Sequence, residues 1–504
     1  MYFMSLDNIF KSKLNFFLFL LLGFFLSFSL PPYNYIFLGF VIFPFILYLL
    51  KLNEQKNPRT FFVYGLLFAF GYFSSSLYWI SYSLNFDPEV EILKPFAILI
   101  LPFALSVFYG LGFYIFKRYF KFNFFFVLNF SILLALTEYI RSLVTGFSWN
   151  LFIYALSEQL ASIQILNIIG SFSLNLLTIF IFSFPYFLIK KNKISFIKRL
   201  IVLIFLISIN YLYGLNRLQT NLEEKNQQVV FVQPNENLQK INSNSQNYIK
   251  EILNMSNPSD KNDNAIFLWP EGSYSFINND NLTNIFKDNF KINQKVILGA
   301  NTKDNYGNIY NSFVILNSKG KIVDVYNKIH LVPFGEFIPF EDVIKFLNLK
   351  KVTFGYQSFS RGVDRNILKI NESLVLPLIC YEVIDTGTIN INKNNFDVIF
   401  NISEDGWFNR SIGTYQHFVH SIFRSIEEGK HIFRSTNQGV SASINPLGVI
   451  INSSNPNKKT VFSNNYQILN NNTPFSVLGN LMFLFIIFLS FLVQLFLKRY
   501  FKLS

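Results

Sequence analysis

Apolar residues divide the 504-residue chain into two hydrophobic regions separated by a long mixed region. Apolar runs fill residues 14–213, disappear for about 260 residues, and return once near the C-terminus. A helix needs about 20 apolar residues to cross the hydrocarbon of a bilayer. The pattern therefore predicts eight membrane spans. They lie at residues 14–30, 35–50, 61–80, 96–116, 124–140, 163–189, 200–213 and 477–497.

The mixed region predicts an α/β domain. Here short β-branched and aromatic runs alternate with polar, Asn-rich loops, and several runs are continuously apolar, as in strands buried on both faces. An apolar stripe at helical spacing predicts a helix over residues 414–430. Strands and helices at this density predict a sandwich with helices packed outside two sheets. The predicted strands are residues 228–233, 265–269, 295–300, 312–317, 321–326, 374–380 and 397–401.

The placement of Lys and Arg predicts the orientation in the membrane. They cluster in alternate loops between the spans and at both termini. The positive-inside rule makes these segments cytoplasmic, so the number of spans is even and the mixed region is extracytoplasmic. The same segments hold sixteen basic residues with Asp7 and Glu54, a net +14 against +13 for the whole chain. The excess positive charge is therefore topological, which argues against nucleic-acid binding.

These patterns predict three parts of the chain: a membrane domain with seven helices over residues 1–216, an extracytoplasmic domain over 217–472, and an eighth helix with a cytoplasmic tail over 473–504. Residues 454–473 are predicted to be a polar tether. The first apolar run could instead be a signal peptide. Its length and the Pro31-Pro32 step directly into another apolar run favour a membrane helix.

Cys380 is the single cysteine, and it ends an apolar run between polar neighbours. A small buried residue at a strand end is the simplest interpretation. Glu271 and Lys328, each at the polar end of a predicted strand, favour chemistry instead, although singly they could be a helix-start residue and a solvated side chain. A thiol that attacks an acyl carbon needs a base and oxyanion donors. Glu271 can be the base, and Lys328 with the backbone N–H of Tyr381 can be the donors.

These segments resemble the nitrilase, or carbon-nitrogen hydrolase, superfamily. They are Trp-Pro-Glu271, Asn-Lys328-Ile-His-Leu-Val-Pro-Phe-Gly-Glu336 and Cys380-Tyr381-Glu382. With seven preceding spans and one following span, the chain resembles the apolipoprotein N-acyltransferase family of the bacterial inner membrane. The resemblance extends to Glu138-Tyr-Ile-Arg141, Thr145-Gly-Phe-Ser-Trp149, Asp405-Gly-Trp407-Phe408, Gln416-His417, Arg424 and Arg434-Ser-Thr-Asn437-Gln-Gly439.

The resemblance implies a nitrilase-like α-β-β-α sandwich in the periplasm and a two-step acyl transfer without a cofactor. Cys380 would take an acyl chain from a phospholipid as a thioester, and then pass it to the α-amino group of the diacylglyceryl-modified cysteine at a lipoprotein N-terminus. Glu336, beside the catalytic Glu and Lys, and Glu382, further out, would organise the site. The aromatic side chains of Phe334 and Phe337, on a loop with Gly and Pro, suit contact with lipid at the mouth of the site.

The chain departs from the family pattern at three places. No Trp follows the segment Val232-Gln-Pro-Asn235, which puts the contact made by that Trp in doubt. Ser148 stands where Pro is usual, and Gly406 stands where Ala is usual.

Other polar residues have simpler interpretations. His417 and His420, three residues apart with a single Cys elsewhere, make a poor metal-ligand set, so packing or hydrogen bonding is the better interpretation and no metal site is predicted. Glu138 and Arg141 are costly in lipid and are predicted to pair or to face the headgroups.

Two alternative functions stay open. A membrane-anchored amidase of nitrilase type would use the same residues to hydrolyse small amides, but one span would be enough to anchor it. A transporter with an accessory domain is the second alternative. It is disfavoured because the spans hold few charges and the sequence shows no paired interrupted helices.

Overall fold

The computed structural model describes residues 6–86, 88–189, 193–238, 241, 245–276, 279–286, 288–338 and 358–501. The chain forms two compact units. The first unit comprises Met1–Ser81, Lys94–Thr220 and Leu478–Ser504, and the second comprises Tyr82–Leu93 and Asn221–Val477.

Helices make up most of the first unit, and the second unit combines helices with strands. In chain order the helices of the described residues are α1 (Leu6–Leu26), α2 (Phe37–Leu52), α3 (Pro58–Leu77), α4 (Pro88–Glu91), α5 (Lys94–Tyr119), α6 (Phe126–Thr145), α7 (Leu160–Ile163), α8 (Leu166–Ser183), α9 (Lys193–Leu218), α10 (Ser245–Ser256), α11 (Asn279–Phe286), α12 (Ile412–Glu428), α13 (Pro474–Leu478) and α14 (Leu481–Phe501).

Each predicted span overlaps a helix of the first unit. Within the described ranges, six helices are long and apolar enough to cross a membrane. The first two predicted spans fall on shorter apolar helices, Lys13–Ser29 and Phe37–Leu52. The apolar helices are thus present where the sequence places them, and the number of eight spans stays a prediction.

Glu138 and Arg141 form a buried ion pair within α6. Their Oε2 and Nη2 atoms are 2.5 Å apart, and both side chains are fully buried. Tyr109 of α5 donates a hydrogen bond to the Glu138 carboxylate. Arg141 also donates to the backbone carbonyl oxygens of Phe147, at 2.6 Å, and Trp149, at 3.2 Å. Such pairing offsets the cost of burying the two charges. The prediction that Glu138 and Arg141 pair with each other is confirmed.

Helices α1 and α3 approach each other closely at two glycines. A Cβ atom on Gly71 would lie 2.1 Å from the carbonyl oxygen of Leu20, and one on Gly23 would lie 1.8 Å from that of Phe68. Small residues allow this backbone approach between apolar helices, where van der Waals packing stabilises association.

Gly71→Val is therefore expected to lower the thermal midpoint of the detergent-purified protein, because the added side chain must push α1 and α3 apart. Overpacking of this kind costs on the order of 1–3 kcal/mol. Differential scanning fluorimetry would measure the change, with Val63→Leu, at a partly exposed position on α3, as the control. An unchanged midpoint for Gly71→Val would contradict the close packing.

Two sheets form the core of the second unit. The strands in chain order are β1 (Glu223–Gln233), β2 (Ile266–Leu268), β3 (Tyr274–Phe276), β4 (Lys295–Lys303), β5 (Ile309–Asn317), β6 (Ile322–Asn327), β7 (Leu368–Ile370), β8 (Ser373–Ile379), β9 (Val398–Ser403), β10 (His431–Thr436), β11 (Ala442–Ile444), β12 (Ile450–Ser453) and β13 (Thr460–Ile468). Among the described residues the first sheet has the order β13-β1-β2-β4-β5-β6, with β3 on β4, and the second has β12-β11-β10-β9-β8-β7. The neighbours β1/β2/β4 and β8/β9/β10 are parallel.

Side chains alternate across β1 and separate two layers of packing. Val230 and Val232 belong to an apolar core with Ile249 and Ile252 of α10, so this helix covers the outer face of the first sheet. Phe231 points the other way, with its ring centroid 5.6 Å from that of Phe433 in β10. Helix α12 packs against β10 and β11 of the second sheet. The layers follow the order helix, sheet, sheet, helix, as the sequence predicts.

The predicted tether over residues 454–473 is wrong. Residues Thr460–Ile468 form β13, which pairs antiparallel with β1 from Glu223 opposite Ile468 to Gln233 opposite Thr460. β13 is an edge strand with Ser463, Asn464 and Asn465 at its centre, and its side chains are mostly half-buried. A strand of this kind lacks the apolar run that identifies a buried strand.

Candidate active site

The predicted catalytic residues follow three strand ends. Cys380 comes directly after β8 and begins a short 3₁₀ helix, Cys380–Ile384. Glu271 follows β2, and Lys328 follows β6. All three side chains are buried. The strands end at one edge of the sandwich, which is where α/β folds collect functional groups.

Lys328 lies between two carboxylates. Its Nζ atom is 2.9 Å from Oε1 of Glu336 and 3.5 Å from Oε1 of Glu271. Asn311 of β5 donates hydrogen bonds to both carboxylates, each at 2.7 Å. The backbone N–H of Glu404 donates to the second oxygen of Glu271 at 2.9 Å. Glu271, Lys328 and Glu336 therefore meet in one site, and Asn311 is a member that sequence reasoning missed.

The Cys380 thiol faces this group. It lies close enough to the Glu271 carboxylate and to the Lys328 ammonium for direct electrostatic interaction. Ser403, the last residue of β9, is a further neighbour of the sulfur. The backbone of Cys380 is left-handed, with φ of +50°. This conformation is uncommon for a residue other than glycine and is typical of functional sites.

Burial and charge set the proton positions at the site. Burial raises the pKa of the Cys380 thiol well above its usual range, and Glu271 adds to the rise while Lys328 opposes it. Burial also raises the pKa of Glu271, against the opposing effect of Lys328. For Lys328, burial alone would lower the pKa, but Glu336 and Glu271 raise it above the usual value. The resting site therefore holds a neutral thiol, a charged ammonium and a carboxylate that is a stronger base than a solvated one.

Glu382 fixes the strand end that carries Cys380. Its Oε2 accepts a hydrogen bond from the backbone N–H of Ile379 at 2.9 Å. The nearby positive charge of Arg365 is the main reason why the pKa of Glu382 is lowered despite its burial. The Oε1 atom of Glu382 accepts hydrogen bonds from four donors around the end of β6. These donors are the Tyr326 hydroxyl at 2.7 Å, the backbone N–H groups of Ile329 at 3.0 Å and His330 at 3.2 Å, and the Arg365 guanidinium at 2.7 Å. Glu382 thus connects the segments of Cys380 and Lys328 without facing the thiol.

Comparison with known proteins gives two family matches. Residues 22–184 match the model of the apolipoprotein N-acyltransferase N-terminal domain, and residues 236–467 match the carbon-nitrogen hydrolase model. A protein from Rhizobium leguminosarum named apolipoprotein N-acyltransferase is 32% identical over 458 residues, which cover 85% of each chain. The chain belongs to the apolipoprotein N-acyltransferase family. A relative of the same name from Rhodopseudomonas palustris is 31% identical over 86% of this chain and 85% of its own.

Solved structures of low sequence identity also match. A carbon-nitrogen hydrolase superfamily protein from Xanthomonas campestris is 14% identical and matches with a TM-score of 0.34, covering 48% of this chain and 90% of its own. A nitrilase superfamily protein from Saccharomyces cerevisiae is 16% identical, with a TM-score of 0.35 and coverage of 48% and 90%.

Tyr381, the residue after Cys380, is held in place by an aromatic contact. Its ring lies edge-on to His330 at a centroid distance of 4.9 Å, and the Nδ1 atom of His330 is 2.8 Å from the Asp385 carboxylate. The side chain of Tyr381 is buried. The role of its backbone N–H as an oxyanion donor stays a prediction.

The family departure at Gly406 has a local physical reason. The neighbouring Glu404 carboxylate accepts a hydrogen bond from the Gly406 N–H at 2.8 Å and one from Asn437 at 2.9 Å. A Cβ atom on Gly406 would lie 2.7 Å from Oε1 of Glu404. Alanine at position 406 would therefore press on the side chain of Glu404, the residue whose backbone N–H donates to the Glu271 carboxylate.

The two aromatic residues predicted to contact lipid lie on a short loop fixed by Glu336. The Val332 N–H donates to the Glu336 carboxylate at 2.8 Å, and the Phe334 N–H donates to the Phe337 carbonyl at 2.8 Å. Phe334 is exposed and Phe337 is half-buried. The end of the predicted loop at Pro339 lies outside the described residues.

Asp405 and His417 form a second polar group at Cys380. Among the described residues, Cys380, Asp405 and His417 are the one set of potential metal ligands, with ligand atoms within 4.8 Å of one another. Asp405 and Nδ1 of His417 are 2.9 Å apart, and the Arg434 guanidinium lies 2.9 Å from Asp405 and 2.8 Å from the same Nδ1. The set is therefore an ion-pair network. The sequence offers one signal for this network, which is Arg434 within a β-rich segment. An arginine is seldom buried without a partner of opposite charge.

Proposed function

We propose that this protein transfers an acyl chain from a phospholipid, through a thioester on Cys380, to the α-amino group of the N-terminal diacylglyceryl-cysteine of lipoproteins. The observation that carries the proposal is the buried thiol beside the Glu271 carboxylate, which itself lies 3.5 Å from the Lys328 ammonium. Membership of the apolipoprotein N-acyltransferase family supports the substrate classes. Both substrates hold acyl chains in the bilayer, and withdrawing a chain costs about 0.8 kcal/mol per CH₂, which favours an enzyme with membrane helices.

In the first step Glu271 takes the thiol proton as the sulfur attacks the carbonyl carbon of the phospholipid ester. The developing oxyanion is stabilised by the Lys328 ammonium and the Tyr381 backbone N–H. The ester C–O bond then breaks, and Glu271 returns the proton to the leaving oxygen. A lysophospholipid departs and the acyl chain remains on Cys380.

In the second step the α-amino nitrogen of the lipoprotein attacks the thioester carbon, and Glu271 accepts a proton from that nitrogen. The same oxyanion donors act again. The C–S bond breaks, Glu271 returns its proton to the sulfur, and the product carries an amide. Glu336 and Glu382 serve both steps, because they hold Lys328 and the Cys380 strand end in place.

The proposal includes the organisation of the chain in the bacterial inner membrane. Residues 1–216 are a membrane domain, 217–472 are the periplasmic catalytic domain, and 473–504 are the last helix with a cytoplasmic tail. The positive-inside rule supports this arrangement, because Lys and Arg cluster in alternate loops and at both termini.

Reporter fusions should place residues near 55, 120 and 195 and both termini in the cytoplasm. The same experiment should place the segment around Cys380 in the periplasm. Alkaline phosphatase and green fluorescent protein fusions at each point would report the two sides with opposite signals. A cytoplasmic Cys380 would contradict the proposal, because lipoprotein N-termini are processed on the other side.

The function is tested with purified protein, phospholipid carrying a labelled acyl chain, and a diacylated lipopeptide. Mass spectrometry is expected to show the label on the peptide N-terminus, with a matching yield of lysophospholipid. An amidase of nitrilase type would instead release ammonia from small amides and leave the peptide unchanged. That result would replace the acyltransferase proposal by the amidase alternative.

Phe334→Ala and Phe337→Ala are expected to raise the KM for phospholipid several-fold with little change in the rate at saturation, because each removes apolar surface that contacts lipid rather than a reacting group. Single-turnover acylation at increasing phospholipid concentration would measure both parameters. Tyr306→Ala, at a highly exposed aromatic residue in the turn between β4 and β5, is the matched control. An unchanged KM for Phe334→Ala and Phe337→Ala would rule out their role in lipid access.

A further inference from the structure

Behind Cys380 lies a buried network centred on Arg434 of β10. Its Nη2 atom donates to both oxygens of Asp405, at 3.0 and 2.9 Å, and lies 2.8 Å from Nδ1 of His417. Its Nη1 atom donates to Oδ1 of Asn401 in β9. All four side chains are essentially inaccessible to solvent. The acyl-transfer mechanism above uses none of them.

Two members of this network meet the backbone carbonyl of Cys380. Asn401 donates through Nδ2 to the carbonyl oxygens of Leu378, at 3.3 Å, and Cys380, at 3.5 Å. The His417 ring also lies near the Cys380 carbonyl. Arg434 contacts both Asn401 and His417, so a single guanidinium holds the two side chains that adjoin this peptide unit.

The restraint is placed where the backbone is strained. Cys380 has φ of +50°, although it carries a side chain. A non-glycine residue in this region costs on the order of 1–3 kcal/mol and persists only where the surroundings fix it. The direction of the Cα–Cβ bond, and therefore the position of the sulfur relative to Glu271, depends on this conformation.

The network also presents a balanced charge to the sulfur. The titratable groups that lie near the thiol are Glu271, Lys328, Asp405 and His417. Asp405 lies in contact with Arg434 and with Nδ1 of His417 at 2.9 Å. Arg434 and then His417 lower the pKa of Asp405 despite its burial, so the carboxylate is ionised. Asp405 already raises the pKa of the Cys380 thiol, and without Arg434 its opposition to the thiolate would increase.

We propose that Asp405, His417 and Arg434 are positioning residues for the nucleophile: they fix the left-handed backbone at Cys380 and hold a balanced charge pair beside its sulfur. The proposal rests on the assignment of Cys380 as nucleophile, and it deepens the proposed function. His417 and Arg434 act through the Cys380 carbonyl and through Asp405, not through contact with substrate.

The charge balance can be tested without acyl transfer, because Cys380 is the only cysteine and its alkylation by iodoacetamide is specific. Asp405→Asn removes the anion and leaves Arg434, so the pH at half-maximal alkylation rate is expected to fall by about one unit. Arg434→Gln leaves the anion unopposed, so that pH is expected to rise by a similar amount. General damage to the fold would not move the two profiles in opposite directions.

The control is Glu427→Gln. This change breaks a buried ion pair between Arg424 and Glu427, whose charged atoms are 2.7 Å apart on the same helix as His417. It is expected to lower the thermal midpoint while leaving the alkylation profile in place. If Arg434→Gln does not fold, Arg434→Lys keeps the charge but loses the fork of hydrogen bonds. Its alkylation profile should then match that of the wild type, and its single-turnover acylation rate should fall at least tenfold.

The positioning role is tested at His417. His417→Gln, which keeps a hydrogen-bonding group, should retain a single-turnover acylation rate within a few-fold of wild type. His417→Leu should lower that rate at least tenfold with an unchanged alkylation profile.

The proposal is overturned if Asp405→Asn and Arg434→Gln shift the alkylation profile in the same direction or not at all, or if His417→Leu acylates at the wild-type rate. If the wild type shows the expected alkylation behaviour but never transfers an acyl chain, the proposed function fails and the network assignment stands.

Discussion

Cys380→Ala is expected to give a folded, membrane-inserted protein that forms no acyl-enzyme and transfers no acyl chain. The sulfur neighbours the Glu271 carboxylate, and alanine leaves no atom at this position that can accept the acyl group. Cys380→Ser should be nearly as inactive, because a hydroxyl is far harder to ionise than a thiol. The buried site adds to this difficulty, since burial already disfavours the thiolate.

Intact-mass analysis after incubation with phospholipid would measure the adduct on wild-type and variant proteins. Ser403→Ala is a matched comparison, because Ser403 neighbours the same sulfur but accepts no acyl group in the mechanism. It should still form the adduct. An acyl adduct that survives on Cys380→Ala would move the nucleophile to another residue.

Glu271→Gln and Lys328→Ala are each expected to slow formation of the thioester by at least about 100-fold, the usual loss for one catalytic base or oxyanion donor. Glutamine keeps the shape of Glu271 and its hydrogen bond from Asn311 but cannot take the thiol proton. Loss of Lys328 removes the oxyanion donor and leaves Glu336 and Glu271 without their shared cation. Both changes act on the first tetrahedral intermediate, so the acylation step itself must slow.

Single-turnover acylation, compared with full turnover on a diacylated peptide, separates these effects. Glu336→Gln should reduce both steps, because Glu336 positions Lys328 and shares Asn311 with Glu271. Lys319→Ala, at an exposed turn, is the control for the loss of a lysine. If Lys328→Ala acylates Cys380 at the wild-type rate, Lys328 is not the oxyanion donor and the triad reduces to Glu271 with Cys380.

The elements that could be predicted from the sequence are those with a strong hydropathy signal. Buried parallel strands such as β4 and β8 are continuous apolar runs, so their positions follow from the pattern. β10 is fully buried but contains His431 and Arg434, whose polar side chains hide the strand signal until their partners are known. The edge strand β13 carries Asn and Ser because one side faces solvent, and its pattern resembles a loop.

The residues of the candidate site also divide into those that the sequence predicts and those that it does not. Glu271, Lys328 and Cys380 could be predicted because each follows a strand core, where polar side chains at the edge of the sheets converge. Asn311 lies within β5, and Asn401 lies within β9. Their importance comes from hydrogen bonds across the sheet to residues distant in sequence, and a sequence pattern holds no signal for those contacts.

The most direct test of the central claim is the fate of an isolated acyl-enzyme. The protein is loaded with a labelled acyl chain from phospholipid, freed of donor, and mixed with a diacylated lipopeptide in a single turnover. The account predicts that the label leaves Cys380 and appears on the α-amino group of the peptide in equal amount. A stable label on Cys380, or transfer to the peptide only while phospholipid is present, would contradict the thioester route.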